Sequence, residues 1–458
     1  MAKQHLLMLG LFLAGAGALA SGCSDTKAVG IEDEQAGATG DAGAKGEAGA
    51  GNAGSGDAGS GNSGSSDAGS GNEAGATGED GMGGEGGEGG EPAFVFPPTL
   101  NPQAVVVVGP PPSTASTLLV GGTNYSTKTE IVSVTIGSGA LGDSTTYDDG
   151  DTLATSSAGV GFAIERRNDK VHLLDAGKIA KTFDLKEAGS NSGTVDQKAY
   201  VPFLHQSLIA VLDLAEGKVS HRIDLNEYNA LGDSDHSADI SAGVYDPNKK
   251  IAYFLLQRID IPSINSDPKF QLHCAPYRGL IVGIDPKTDE VVDLNGSAAG
   301  KAIELELVNP NSLSINADGT ALYLLASGCY DGDNRAHHGV EVVDLEDGTT
   351  TVAYTATGND FLARMIKTVG ADALIQSYDD VFASHWHKID LAAGTLGAEV
   401  ANVPQAPSFD GTDLLGVEVA NKVGKVVRYK LATETSTVIS PTSWGGEYSS
   451  AAATALVQ

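Results

Sequence analysis

Long apolar runs are nearly absent from these 458 residues. The one such stretch, Leu6–Ala20, follows a single cation, Lys3, and is too short to cross a bilayer as a helix. Basic residues are also few. Twenty-eight Lys and Arg stand against 59 Asp and Glu, a formal charge of −31. That balance argues against nucleic acid or an anionic lipid surface as a partner. No G-x-S-x-G nucleophile elbow occurs, and no H-x-E-x-x-H-like spacing. Glycine is plentiful, but no Gly-rich stretch joins a strand to a helix, which excludes a phosphate-cradling loop. Cysteine appears three times, as Cys23, Cys274 and Cys329.

What is present divides the chain into three parts. Residues 1–22 read as a secretion signal ending Leu19-Ala20-Ser21-Gly22-Cys23, which resembles a bacterial lipobox with Ala20 where Leu is usual. The resemblance implies a lipid on Cys23, and several acyl chains at about 0.8 kcal/mol per buried CH₂ make a stable anchor. Ser24 rather than Asp after the cysteine resembles the sorting pattern for the outer membrane. Residues 23–92 are almost entirely Gly, Ala, Ser, Asp, Asn and Glu. Such a stretch cannot bury enough to offset its ordering entropy, so it is expected to be a disordered tether. It carries a net charge of about −12, and residues 93–458 about −20.

Residues 93–458 are organised around Ala199–Leu225. Ala199–Phe203 is a short β-rich run, Leu208–Leu212 a second, and Val219–Leu225 a third that alternates apolar with polar. Ala215-Glu216-Gly217 is the turn between the last two, with Gly217 able to take φ > 0. Three such strands bury too little alone and need neighbours like themselves. The turn recurs at Thr135, Asp285, Asp344, Asp390 and Lys430, with a shortened copy at Asp175. A matching strand lies upstream of each, giving about seven units at a spacing near the ~40–50 residues of propeller blades. The expected fold is all-β, a seven-bladed β-propeller forming one domain. Either Ala93–Pro97 or Ala104–Val108, with a C-terminal strand such as Ala451–Val457, is expected to close the ring.

The stretch AYVPFLHQSLIAVLDLAEGKV resembles the YVTN-type, lactonase-like β-propeller repeat, in which a Tyr-Val strand precedes a V-x-D-x-x-x-G-K-V hairpin. Asp246-Pro247-Asn248-Lys249-Lys250 and Asn316-Ala317-Asp318-Gly319 match the turn such repeats place before that strand. The resemblance covers most of 103–441 and concerns fold. Related propellers include binding proteins, lactonase-like enzymes and metal enzymes, so it leaves function open.

Two steps between units are too long. The excess lies at Asn226–Asp239 and Ile259–Arg278 in the fourth unit and at Ser327–His338 in the fifth. Connections of a four-stranded blade alternate between its ends, which puts all three insertions on one face. Cys274 and Cys329 occupy neighbouring insertions and in an oxidising envelope should pair; a thiol or metal pair is the alternative.

The same face carries His205, His236, His273, His337, His338 and His385, with Asp233, Asp235, Asp239, Asp331, Asp333, Asp379 and Asp380. Imidazole suits Zn or Cu and carboxylate suits Ca, so a metal site is weighed on His236, His273, His337, His338, His385, Asp331 and Asp333, against polar loops with no ligand. His387 is weighed as a packed residue. Tyr277, Tyr330 and Trp386 are weighed as a binding face, against ordinary packing. Two functions follow. The first is an envelope-anchored platform that binds a protein, glycan or small molecule through the loops of blades 4 and 5. The alternative is an envelope metal-assisted hydrolase or lactonase-like enzyme on that face. The enzyme needs titratable groups that converge; the platform needs exposed aromatic or apolar surface.

Overall fold

The computed structural model describes residues 100–458, apart from positions 111–114, 188, 190–194, 196, 230–233, 268, 270, 276, 297–300, 369, 371, 380, 382, 421–422 and 441–449. The signal, Cys23, the tether and the candidate strand 93–97 lie outside the described residues, as do Asp233 and Asp380.

Blade 3 shows how the local sequence folds. Its strands Lys198–Pro202, Leu208–Asp213 and Lys218–Asp224 fall within a residue or two of the expected runs. The pleat sends alternate residues of the middle strand to opposite sides. Ala210 and Leu212 pack toward blade 2, while Ile209 and Val211 pack toward blade 4. Several closing turns are held by the aspartate that opens them. Asp213 Oδ1 accepts the Glu216 amide at 2.9 Å, and Asp344 and Asp390 do the same for Glu346 and Ala392. Five residues into the turn the backbone is left-handed, at Gly217 (φ 74°), Gly348 (φ 74°) and Gly394 (φ 63°). Asp289 (φ 58°) and Glu434 (φ 53°) hold the same geometry without glycine's freedom.

Seven four-stranded antiparallel blades form, plus one small hairpin; blade 4 carries an extra edge segment, Ile303–Glu304, beside Leu280–Ile281. Blade 2 runs from Thr152–Ser157 to Lys178–Asp184, blade 4 from Ile240–Asp246 to Glu290–Val292, and blade 5 from Pro310–Ile315 to Thr350–Thr355. Blade 6 runs from Phe361–Lys367 to Thr395–Glu399 and blade 7 from Gln405–Phe409 to Thr435–Val438. The core is not one mass. It is seven hydrophobic seams, one between each pair of successive blades, and the seam between blades 7 and 1 completes the circle. The chain is thus a seven-bladed β-propeller.

Both ends of the described chain supply innermost strands, in different blades. Ser450–Val457 pairs with Thr117–Thr123 as the inner strand of blade 1. Ala104–Val108 does not join it, contrary to expectation. Val106 and Val107 pair instead with Tyr200 and Ala199, completing blade 3. The reason is an unfilled position: among the described residues of 185–197 no strand forms ahead of Lys198. The N-terminal segment fills it with alternating apolar residues. Val105 and Val107 enter the seam with blade 2 and Val106 the seam with blade 4. Further along, Leu100 donates its amide to Asp169 Oδ1 at 2.6 Å, and the Asn101 side-chain amide lies 2.9 Å from His205 Nε2.

Candidate functional site: the stapled rim of blades 4 to 6

The three insertions emerge at one end of the ring, as connection parity requires. Ile259–Arg278 contains a one-and-a-half-turn helix, Ile261–Ser266, whose first turn is capped by Asp260 accepting the Ser263 amide at 3.0 Å. The preceding connection holds that helix in place. Asp235 Oδ2 accepts the Ile261 amide at 3.0 Å, Asp239 Oδ2 accepts that of Ile259 at 2.9 Å, and Ser234 donates to Asp260 at 2.6 Å. Two acids of the face that the sequence singled out are therefore occupied in positioning backbone.

In blade 5, Cys329–Asp331 and Asn334–Ala336 form a hairpin above the blade. The Cys274–Cys329 disulfide joins it to the blade 4 insertion, with Cα atoms 4.9 Å apart and 55 residues between them in sequence. The pairing is strengthened by backbone. Cys274 donates to the Tyr330 carbonyl at 3.0 Å, and Tyr330 donates to the Leu272 carbonyl at 2.7 Å.

Arg335 locks this hairpin to blade 6. Its guanidinium lies 4.5 Å over the Tyr330 ring and 5.3 Å from the Phe361 ring. It donates to the Tyr330 hydroxyl at 2.7 Å, the Ser327 carbonyl at 2.8 Å and the Asn359 carbonyl at 3.3 Å. Every arm of the fork is used, which makes it a rigid bracket rather than a free cation. Val381, 74 % exposed, adds apolar surface on the neighbouring connection of blade 6. Neither Arg335 nor Phe361 carried a sequence signal. Arg335 is an ordinary residue within an insertion, and Phe361 opens an inner strand.

The titratable groups do not converge. His273 Nε2 lies 2.8 Å from Asp267 Oδ2, and Lys269 lies 2.8 Å from Asp333 on the exposed surface. His385 stands between Glu399 (2.9 Å) and Asp379 (3.5 Å), one carboxylate on each ring nitrogen, and the bond to Glu399 leads in raising its pKa. A carboxylate on each side leaves neither nitrogen open as a base. His387 is half-buried against the Gly397 carbonyl. His236 and His337 sit in left-handed backbone on separate connections, and Asp331 is exposed at the hairpin tip. His338 is 2 % exposed, and burial pushes its pKa down to about 4. Burial likewise takes His205, with Asn101 against its ring, to about 4. Among the described residues no three His, Cys, Asp or Glu side chains stand where they could hold a metal ion. The set His236, His273, His337, His338, His385, Asp331 and Asp333 is therefore scattered by the fold and does not fit Ca, Zn or Cu as one site.

Of the three aromatics, Tyr330 lies at the centre of the rim and Tyr277 is half-buried in the blade 4 insertion. Trp386 is a correction. It is 6 % exposed and packs in the seam between blades 6 and 7, because strand alternation turns it to the side opposite His385 and His387. A cleft of about 490 Å³ lies at the other end of the ring, between the turns of blades 6 and 7. Asp372, Lys388, Phe409, Thr412 and Leu431 line it, and none of the rim residues reaches it.

No family profile matches the chain, and no curated protein matches its sequence. Solved structures do resemble it. A candidate 6-phosphogluconolactonase from Bacteroides uniformis is 14 % identical over 75 % of this chain and 99 % of its own, with a TM-score of 0.48. Apo AztD from Citrobacter koseri is 11 % identical over 75 % and 98 %, with a TM-score of 0.39. The dihydro-heme d1 dehydrogenase NirN is 12 % identical over 76 % and 80 %, with a TM-score of 0.42. At these values the seven-bladed assignment rests on the strand pairing and seams of this chain.

Proposed function

We propose that this chain is an envelope lipoprotein, anchored through Cys23, whose propeller holds a partner on the rim of blades 4 to 6. The partner is a protein, glycan or small molecule presenting apolar surface. The observation that carries this reading is the construction of the rim. A disulfide, a two-bond backbone bridge and a fully engaged arginine fix Tyr330 and Phe361 in place. Aromatic groups ordered before binding lose less entropy on association, and aromatic and Arg residues dominate interface energetics. The low-complexity stretch acts as the tether, with a reach of about 45 Å from ~5–6 Å × √n.

The test uses the full chain, produced with its anchor. Fatty-acid labelling and membrane fractionation should both be lost on Cys23→Ala. Envelope extracts and a glycan array are then screened against the protein. Partners retained by the wild type should fall at least tenfold on Tyr330→Ala and Phe361→Ala and stay unchanged on Val438→Ser, an exposed site on the outer strand of blade 7. Equal retention by the rim variants would remove the rim from the function.

A further inference from the structure

Arg364 lies on Phe361–Lys367, the innermost strand of blade 6, where the strands border the axis of the ring. It is two residues from Ile366, so both side chains leave the strand on the side that packs against blade 7. It is half-buried, and burial pushes its pKa down to about 10. Among the described residues no hydrogen bond or ion pair reaches its guanidinium, and the one group that acts on its charge is the Tyr378 phenol. Every other arginine that is not simply exposed is engaged. Arg166, Arg167 and Arg428 meet carboxylates, and Arg222, Arg258 and Arg335 meet carbonyls.

An unpaired, partly desolvated cation is costly, and it is more anomalous in a chain of net charge −31, where carboxylates are abundant. The surroundings are polar. Gln376 is the direct cross-strand partner of Arg364 and is 4 % exposed. Its amide nitrogen donates to the Tyr378 hydroxyl at 3.0 Å and to Ser384 at 2.9 Å, while its Oε1 has no partner. Gln376 is thereby held in one orientation beside the cation.

We propose that Arg364 is an anion-binding residue on the blade 7 side of this innermost strand and that its ligand is a small carboxylate-bearing solute. The planar guanidinium fork matches a carboxylate through two parallel hydrogen bonds. A hydroxy acid bound in this way carries a hydroxyl, which is its donor for Gln376 Oε1. The acidic ring favours a single charge: its repulsion scales with the charge of the ligand, so a polyanion meets more of it than a monoanion does. The site adjoins the rim, where Phe361 packs against Tyr378, but the cation that brackets Tyr330 is Arg335 and not Arg364.

The full chain is titrated with sodium acetate, sodium lactate and inorganic phosphate at constant ionic strength, reading thermal stability and direct calorimetry. Acetate and lactate should raise the melting temperature of the wild type, and Arg364→Lys should weaken their binding at least fivefold by removing the fork. Arg364→Met should abolish it while leaving the ligand-free protein as stable as the wild type or more so; a merely structural arginine would destabilise on removal. Phenylglyoxal labelling of the wild type, mapped by mass spectrometry, gives a reading that needs no variant: lactate should protect Arg364 and leave exposed Arg278 reactive. Tyr330→Ala should leave all of these values unchanged, which separates this site from the rim. Phosphate binding in preference to carboxylates, carboxylate binding indifferent to Arg364→Met, or no binding at all would each overturn the proposal.

Discussion

Lys198 Nζ lies 2.7 Å from Asp289 Oδ2, across the seam between blades 3 and 4. Lys198 is buried and Asp289 half-buried, and the pair is completed by the Tyr200 hydroxyl on Asp289, by His221 Nε2 at 3.2 Å and by a bond from Lys198 to the Pro286 carbonyl at 2.7 Å. Asp289 is the residue that stands in left-handed backbone where other blades have glycine. The turn of blade 4 thus exchanges glycine's freedom for a charge that ties it to blade 3. Asp289→Asn keeps a residue tolerant of that backbone and removes the charge. It should cost about 3–5 kcal/mol by urea unfolding, because Lys198 is left buried without a counter-charge. Lys198→Met combined with Asp289→Asn should recover part of that loss. Additive losses would mean that the pair is not coupled.

Acid should release the N-terminal segment before the blades. His205 and His338 have folded pKa values near 4, below the ordinary 6.5. As pH falls through that window the unfolded chain takes up protons that the fold refuses. Their stabilising contribution is therefore full above about 6.5 and lost as pH falls toward 4. Protonating His205 also ends its acceptance of the Asn101 amide. Hydrogen exchange between pH 6.5 and 4 should show protection of the Gln103 and Val108 amides, which bond to Pro202 and Lys198, falling ahead of the blade strands. Simultaneous loss across all blades would contradict the order.

Equivalent turn glycines should differ in cost. Gly217 and Gly139 both hold positive φ, at 74° and 69°. A Cβ at Gly217 meets nothing closer than the flexible Lys181 side chain at 3.2 Å, whereas one at Gly139 falls 1.5 Å from the Ile439 carbonyl oxygen. Gly217→Ala should cost about 1–2 kcal/mol, the price of left-handed backbone alone. Gly139→Ala should cost clearly more, since the seam between blades 7 and 1 must shift. Denaturant midpoints measured side by side check this, and equal losses would sink it.

Removing residues 450–458 should prevent ring closure. That strand supplies the inner edge of blade 1 and contributes Ala455 and Val457 to the seam with blade 2. A chain ending at 449 should show broadened, non-cooperative unfolding and exposed hydrophobic surface by dye binding. A sharp transition near that of the full chain would show that the ring closes without it.

The fold could be read from the chain because its signals are local. Asp213, Asp344 and Asp390 each cap their own turn, and the runs of Val, Ile and Leu that follow alternate with a period of two. Copies of such a unit, each unable to bury both faces alone, determine a ring. The insertions and the Cys274–Cys329 pair were legible for the same reason, since connection parity places them at one end. The site was less so. Trp386 looked like surface until alternation within its strand turned it into a seam. The histidines looked like a cluster because sequence records that loops share a face, not how far apart they stand upon it.

Sequence alone determined that this would be an acidic ring of β-blades with one elaborated end, because turn chemistry and alternation act between residues close in the chain. Only the tertiary structure decided that Val106 and Val107 complete blade 3, that Arg335 brackets Tyr330 against Phe361, and that Arg364 stands uncompensated on an innermost strand, on its blade 7 side. Those relationships join residues from different blades, and which of them meet is set by how the seven seams pack around the ring.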